Sequence, residues 1–191
     1  MEYMNKDRST DGSASPSWPD RLKQVLLREP TDKTQLLELL RAACERELFD
    51  ADALAMIEGV LQVDDMRVRD IMLPRSQVIA LERDAPPAEL LRTIVNSGHS
   101  RFPVIGDNPD EVVGIMLAKD LLQYCGDDAP RFKMRDIVRS AVFVPESKRL
   151  NVLLREFRAS RNHMAIVIDE YGNAAGLVTI EDVLEQIVGE I

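Results

Sequence analysis

The chain has 191 residues, 45% of them hydrophobic, 5% aromatic and 30% charged, and its 24 basic against 33 acidic side chains leave a net charge of −9. That length fits one ordinary domain or two small ones, with the composition of a packed globule rather than a disordered chain. The negative charge argues against nucleic acid as the main ligand, and no apolar run reaches the roughly 20 residues of a membrane-spanning helix.

Met1 to Asp20 is polar, contains Pro16 and Pro19, and lacks the apolar core of a secretory signal. Residues 1–30 read as a flexible tail, in which Trp18 either docks on a partner or stands exposed to solvent. From Thr31 the pattern changes: Leu36, Leu37, Leu39, Leu40 and Ala43 recur at helical spacing, with Thr31 or Thr34 as N-cap. Asp50 is placed to cap a second helix carrying Leu54, Ile57 and Leu61. Residues 31–66 therefore read as a helical hairpin, which buries little alone and leans on the rest of the chain or on another copy or partner. Cys44 and Cys125 are far apart in sequence, and His99 and His163 have no partner at ligand spacing. The expectation is a reduced cytosolic protein without a disulfide framework or a zinc site.

Beyond residue 66 the sequence repeats itself. Arg69-Asp70-Ile71 returns 66 residues later as Arg135-Asp136-Ile137. Leu90-Leu91-Arg92 returns 63 later as Leu153-Leu154-Arg155, and Arg101 to Ile105 overlies Met164 to Ile168 at the same offset. Gly114, Lys119 and Asp120 return 62 later as Gly176, Glu181 and Asp182. Each copy reads as a lead segment, a short strand (Val78 to Leu81; Ala141 to Val144), a helix, a β-branched strand, a turn, another strand and a closing helix. The turns fall at Gly106 to Asp110 and at Asp169 to Asn173. The fold class is thus α+β: tandem β-α-β-β-α units over residues 67–130 and 131–191, behind a helical hairpin.

This tandem repeat resembles a pair of CBS domains, and more closely the CorC family of magnesium and cobalt efflux proteins. The residues that carry the likeness are Arg67 to Ser76, His99 to Val104, Ile168 to Asn173 and Gly176 to Glu185, with Leu36 to Arg41 and Ile57 to Val60 upstream. The resemblance implies a regulatory adenine-nucleotide site (AMP or ATP) between the repeats, in a disc-shaped homodimer. Mg2+ would arrive with ATP phosphates, and the partner would be a membrane transport component. The chain would work in the cytoplasm or peripherally at the inner face of the plasma membrane. CorC-like chains continue into a transporter-associated domain, so a sequence stopping at Ile191 reads as an excised or truncated piece.

The resemblance assigns the site residue by residue. Thr179 and Asp182 offer a hydroxyl and a carboxylate to the ribose diol, a carboxylate being able to accept two hydrogen bonds. The same Thr-x-x-Asp spacing is also a helix capping box. Ser100 and Arg101, at the head of the Ser100-Arg101-Phe102-Pro103 motif, suit a phosphate; outside that context Arg101 reads as a surface ion-pair partner. Met72, Leu73 and Pro74 form an apolar slot for adenine, helped by His163 and Ala165, though core packing alone also accounts for Met72. Thr179 aligns with Leu117 in the first copy, so one site per chain is expected. Asp107, Asp110, Glu111, Asp127 and Asp128 read as solvated loop carboxylates rather than a magnesium site. No nucleophile–base pair, P-loop or His-Glu-x-x-His motif occurs, which points to a binding module and not an enzyme. The alternative is a cytosolic nucleotide-sensing adaptor acting on a macromolecular partner in RNA or ribosome metabolism. A regulatory fragment of a metabolic enzyme is a third reading. Residues 1–66 hold 8 basic and 14 acidic side chains and residues 67–191 hold 16 and 19, so the repeats are near charge balance.

Overall fold

The computed structural model describes residues 30–108, 111–124 and 130–189. Residues 1–29 of the expected tail, Trp18 among them, and Cys125, Asp110, Asp127 and Asp128 lie outside that set. Two units are distinguished, one ending at Phe49 and one running from Asp50.

The described part of the first unit is helix α1, Lys33–Glu45. Asp32, rather than Thr31 or Thr34, is its N-cap: its carboxylate accepts from the Gln35 amide at 2.9 Å. Gln35 Oε1 in turn accepts from the Thr31 amide at 3.1 Å. An ionised carboxylate accepts that first-turn bond as well as a hydroxyl does and suits the positive end of the helix dipole. No residue of α1 is fully buried.

The second unit starts with α2, Ala51–Val63, capped by Asp50 as expected, with the Ala53 amide 2.8 Å from its carboxylate. The first repeat then forms β1 (Leu73–Pro74), β2 (Leu81–Glu82), α3 (Pro87–Ser97), β3 (Arg101–Ile105) and β4 (Val112–Leu117). The second forms β5 (Phe143–Pro145), α4 (Leu150–Ser160), β6 (Met164–Ile168), β7 (Ala174–Thr179) and α5 (Ile180–Val188). Both first strands are shorter than the sequence suggests and start later, because Val78 and Ala141 pack into the apolar contact between the repeats instead. The closing segment of the first repeat, Ala118–Tyr124, winds as a 3-10 helix where the second repeat has α5. Its leading residue Leu117 offers no hydroxyl to cap an α-helix, whereas Thr179 does.

The lead segments are exchanged. The segment opening the first repeat packs on the second: β1 pairs antiparallel with β7, Leu73 opposite Leu177 and Pro74 opposite Gly176. Val68, fully buried, joins Val144, Leu153, Phe157 and Val178 in the core of the second repeat. The segment opening the second repeat does the reverse, with Met134 and Ile137 in the core of the first beside Phe102, Val104 and Met116. There Arg139 and Ile115 exchange both backbone hydrogen bonds at 2.9 Å. The sheet orders are thus β2-β3-β4 and β1-β7-β6-β5. Between them Ile115, Ile166 and Leu177 make a third apolar cluster that joins the repeats.

Two glycines permit the crossings. A Cβ on Gly176 would stand 2.2 Å from the Leu73 carbonyl oxygen, and one on Gly114 would stand 2.5 Å from that of Arg139. Neither carbonyl is a flexible group that could yield. Gly176→Ala is expected to destabilise the protein by about 1–3 kcal/mol, as overpacking against fixed atoms does; urea denaturation measures it, and a midpoint equal to that of the unaltered chain contradicts the close approach.

The Asp169–Asn173 turn is held by one carboxylate. Asp169 Oδ1 accepts from the amides of Asn173 and Tyr171 at 2.8 Å, and the Asn173 amide bond does most to lower the Asp169 pKa. A depressed carboxylate pKa means that these bonds stabilise the turn above the unfolded Asp value and are lost as pH falls through the folded one. In an NMR titration the Tyr171 and Asn173 amides should therefore move together with a midpoint below the ordinary Asp value of about 3.9; a midpoint at or above it contradicts the turn geometry.

Candidate functional site

A cleft of about 420 Å³ opens between the two repeats of the second unit. The first repeat contributes Leu73, Ile79 and the run Gly98 to Arg101 with Pro103, and the second contributes Met164, Leu177, Thr179, Glu181 and Asp182. The lead-segment exchange puts Leu73 on the floor: it is carried by the chain of the first repeat but hydrogen-bonded into the sheet of the second, beside Leu177.

The diol end is built by α5. Thr179 Oγ1 accepts from the Asp182 amide at 3.2 Å, and Asp182 Oδ2 accepts from the Thr179 amide at 2.7 Å. The pair is a reciprocal capping box. It does not exhaust either group: the Thr179 hydroxyl keeps its hydrogen and Asp182 keeps Oδ1 for an incoming donor. Glu181 stands beside them, with its Oε1 3.6 Å from His163 Nδ1.

At the opposite wall, α3 ends on Gly98 in the left-handed conformation with φ 70°. The chain then turns sharply into Ser100 and Arg101. Arg101 is half-buried at the head of β3, and among the described residues it has no acidic partner. It presents its donors to the cleft rather than to a neighbouring carboxylate.

Pro103 adds a feature the sequence motif did not explain. In the second repeat, Ile166 occupies the position of Pro103 and donates its amide to the Val142 carbonyl at 2.8 Å. In the first repeat Ile79 is the equivalent of Val142, and proline has no amide to give. Ile115, opposite Pro103 on β4, turns both of its backbone groups toward Arg139, while β2 pairs only with Val104 and Ile105. Ile79 lines the cleft, and its carbonyl has no backbone donor among the described residues.

Of the residues singled out from sequence, Leu73, Ser100, Arg101, Pro103, Thr179 and Asp182 come together in this one cleft. Five do not line it. Phe102 and Ala165 alternate to the inner side of their strands and are fully buried in the two cores. Met72 packs against the core of the second repeat, Pro74 is exposed beside Gly176, and His163 stands behind the site, with its Nδ1 3.6 Å from Glu181 Oε1 and its carbonyl accepting from the Ile180 amide at 3.1 Å. Sequence reasoning passed over Ile79, Gly98, His99, Met164, Leu177 and Glu181. Met164 and Leu177 were detectable as neighbours of Thr179 and Leu73 once the strand register was drawn. Ile79 carries no side-chain signal, since its backbone is what matters.

Among the described residues no helix is long and apolar enough to cross a membrane. The family described as "CBS domain" matches residues 68–127 and 134–189, and "N-terminal region of NMB0537" matches residues 28–63. The chain is 47% identical over 190 residues to the "Magnesium and cobalt efflux protein CorC" of Vibrio cholerae, covering 98% of this chain and 65% of that protein. It is 53% identical over 170 residues to that of Salmonella typhimurium, covering 89% and 58%. The chain therefore spans less than two thirds of these curated relatives. Among solved structures, "the CBS domain of the bacterial CNNM/CorC family Mg2+ transporter" superposes with TM-score 0.77 at 39% identity, over 85% of this chain and 99% of that one. A complex of such a domain with ATP gives TM-score 0.67 at 44% identity, over 71% and 96%. A CBS-domain pair with bound AMP from Klebsiella pneumoniae gives 0.57 at 29%, over 65% and 99%.

The capping box makes a prediction independent of any ligand. Thr179→Val keeps the side-chain shape and deletes the cap, and should cost about 1 kcal/mol of stability. Thr179→Ser keeps the hydroxyl and should cost less; equal denaturation midpoints for the two variants contradict the cap.

Proposed function

The chain belongs to the CBS-domain family, as a tandem pair of the CorC type, and from that footing we infer that it is a regulatory adenine-nucleotide-binding module of a magnesium and cobalt efflux system. The observation that carries the reading is the polarity of the cleft. An unpaired guanidinium and a hydroxyl at Arg101 and Ser100 face, across an apolar floor of Leu73 and Leu177, a hydroxyl and carboxylate at Thr179 and Asp182. A molecule with an anionic end, a flat apolar middle and a vicinal diol satisfies all three. The similar structures in complex with ATP and with AMP support the nucleotide class.

The roles follow from chemistry. Asp182 Oδ1 and the Thr179 hydroxyl hold the ribose diol. Arg101 forks onto a phosphate, with Ser100 beside it. The Ile79 carbonyl, left open by Pro103, accepts from the exocyclic amine of adenine. A six-oxo purine presents a second acceptor there and is disfavoured. With ATP as ligand, Mg2+ is carried by the phosphates rather than by a dedicated protein cage. The module binds and does not catalyse. Apolar side chains on its helices, Val95 at 69% exposure and Leu122 at 66%, suit a homodimer contact. It acts on the cytoplasmic side of the membrane, where adenine nucleotides are abundant, against a transport component. Nucleotide regulates by favouring one arrangement of the assembly over another.

Mass spectrometry of purified protein should find co-purifying AMP or ATP. In titration calorimetry Asp182→Ala should weaken AMP and ATP binding by at least about tenfold, the scale of losing one charge-assisted hydrogen bond, and IMP should bind the unaltered chain more weakly than AMP. Unchanged affinity in Asp182→Ala, with the fold intact by circular dichroism, sinks the reading.

A further inference from the structure

The internal repeat implies a second cleft related to the first by exchange of the two copies. Its positions can be read from the strand register. Leu73, opposite Leu177 on β7, corresponds to Arg139, opposite Ile115 on β4. Thr179, opposite Met164, corresponds to Leu117, opposite Arg101. Asp182 corresponds to Asp120, and the Ile79 carbonyl to that of Val142. Asp120 has kept the carboxylate that the diol end requires, yet the place is not open. Arg139 Nη2 lies 2.8 Å from Asp120 Oδ2. The Asp120 side chain is only 20% exposed while that of Arg139 is 59% exposed, so the guanidinium reaches in from the surface to a carboxylate set below it.

We propose that Arg139 is a tethered stopper of this second cleft: its side chain occupies, against Asp120, the space that the first cleft leaves for a bound molecule. Three observations converge on it. The backbone of Arg139 is fixed by its two hydrogen bonds to Ile115, so the side chain starts from a defined point. The residue in its place in the first cleft, Leu73, is too short and apolar to reach Asp182, which keeps that carboxylate available. The Val142 carbonyl is already taken by the Ile166 amide, so the second cleft has also lost its acceptor for a base. An intramolecular guanidinium has a high effective concentration and outcompetes a diol, which brings no charge to the carboxylate. The inference rests on the nucleotide reading of the first cleft, and it gives Arg139 the role of keeping the second cleft closed.

The test is calorimetric stoichiometry with AMP on the full chain. The unaltered chain should take one equivalent. Leu117→Thr with Arg139→Leu, which installs the diol pair and the apolar floor of the first cleft in the second, should take two, the second at lower affinity because Met164 stands there in the place of Arg101, and the second equivalent should accept AMP and IMP alike because the Val142 carbonyl is occupied. Adding Asp182→Ala to that pair should weaken one of the two equivalents by at least about tenfold and leave the other unchanged, whereas Asp182→Ala alone should leave only the weakened one. A count that stays at one in the Leu117→Thr, Arg139→Leu variant, with an unchanged melting profile, overturns the stopper. Should that variant not fold, Leu73→Arg provides the converse: a guanidinium placed opposite Asp182 should empty the first cleft, and AMP bound there at undiminished affinity overturns the proposal. An unaltered chain that binds no AMP defeats the reading of the first cleft alone; the stopper is then decided by whether the Leu117→Thr, Arg139→Leu variant gains one equivalent or remains without any.

Discussion

The close backbone approach at Gly176 and Gly114 is the constraint on which the rest of the second unit depends. Each glycine lets a lead segment cross from its own repeat onto the sheet of the other, with carbonyl oxygens at distances no side chain tolerates. The crossing puts Val68 into the core of the second repeat and Met134 and Ile137 into the core of the first. Each fully buried aliphatic of this kind is worth about 1.5–3 kcal/mol over an exposed one. Neither repeat has a complete core without a piece of the other. That explains why a unit of about sixty residues, marginal alone, is stable as a pair.

The same exchange makes the cleft. Its floor is one lead segment, one wall is the end of α3 with the head of β3, and the other is the start of α5. The two clefts that the repeat creates share this frame, and they differ by single substitutions of large chemical effect. Proline for isoleucine at position 103 releases a carbonyl. Threonine for leucine at position 179 supplies a helix cap and a hydroxyl at the cleft. Leucine for arginine at position 73 leaves an acidic group open. The copies differ at these three cleft positions while the buried ones, such as Phe102 and Ala165 or Val104 and Val167, are apolar in both.

Much of this was legible in the sequence, because repetition at fixed offsets marks equivalent positions whatever the fold. The helices, the β-branched strands and both turns follow from periodicity and turn chemistry. The Thr179–Asp182 pair was readable both as cap and as ligand, and the structure has the cap in place with capacity to spare. The exchange of lead segments was not legible. Nothing in Val68 or Met134 says which of two similar cores it enters, since that choice is made by packing across some 80 residues of chain, as between Val68 and Lys148. Phe102 enters the expected site by its place in a motif and Ala165 by the resemblance alone, although strand alternation points both inward. The Ile79 carbonyl was beyond reach from sequence, because a backbone acceptor becomes significant only when its donor is missing.

A ligand in the first cleft would be held by groups with different mechanical attachments. Arg101 begins β3 in the sheet of the first repeat. Asp182 sits in the first turn of α5, whose cap is fixed by the sheet of the second. Leu73 belongs to the crossing segment that ties the two together. α5 in turn bears on α2 at Gly59, where a Cβ would come within 2.7 Å of the Gln186 and Ile187 carbonyls. Contact that close leaves α2 little room to stay still if α5 tilts, since packed interiors transmit displacement rather than absorb it. A bound molecule that draws Arg101 and Asp182 together therefore acts on the angle between the repeats and, through α5, on α2. The response requires only that the two arrangements differ in the fit of this cleft, which is the thermodynamic condition for a ligand to shift any equilibrium.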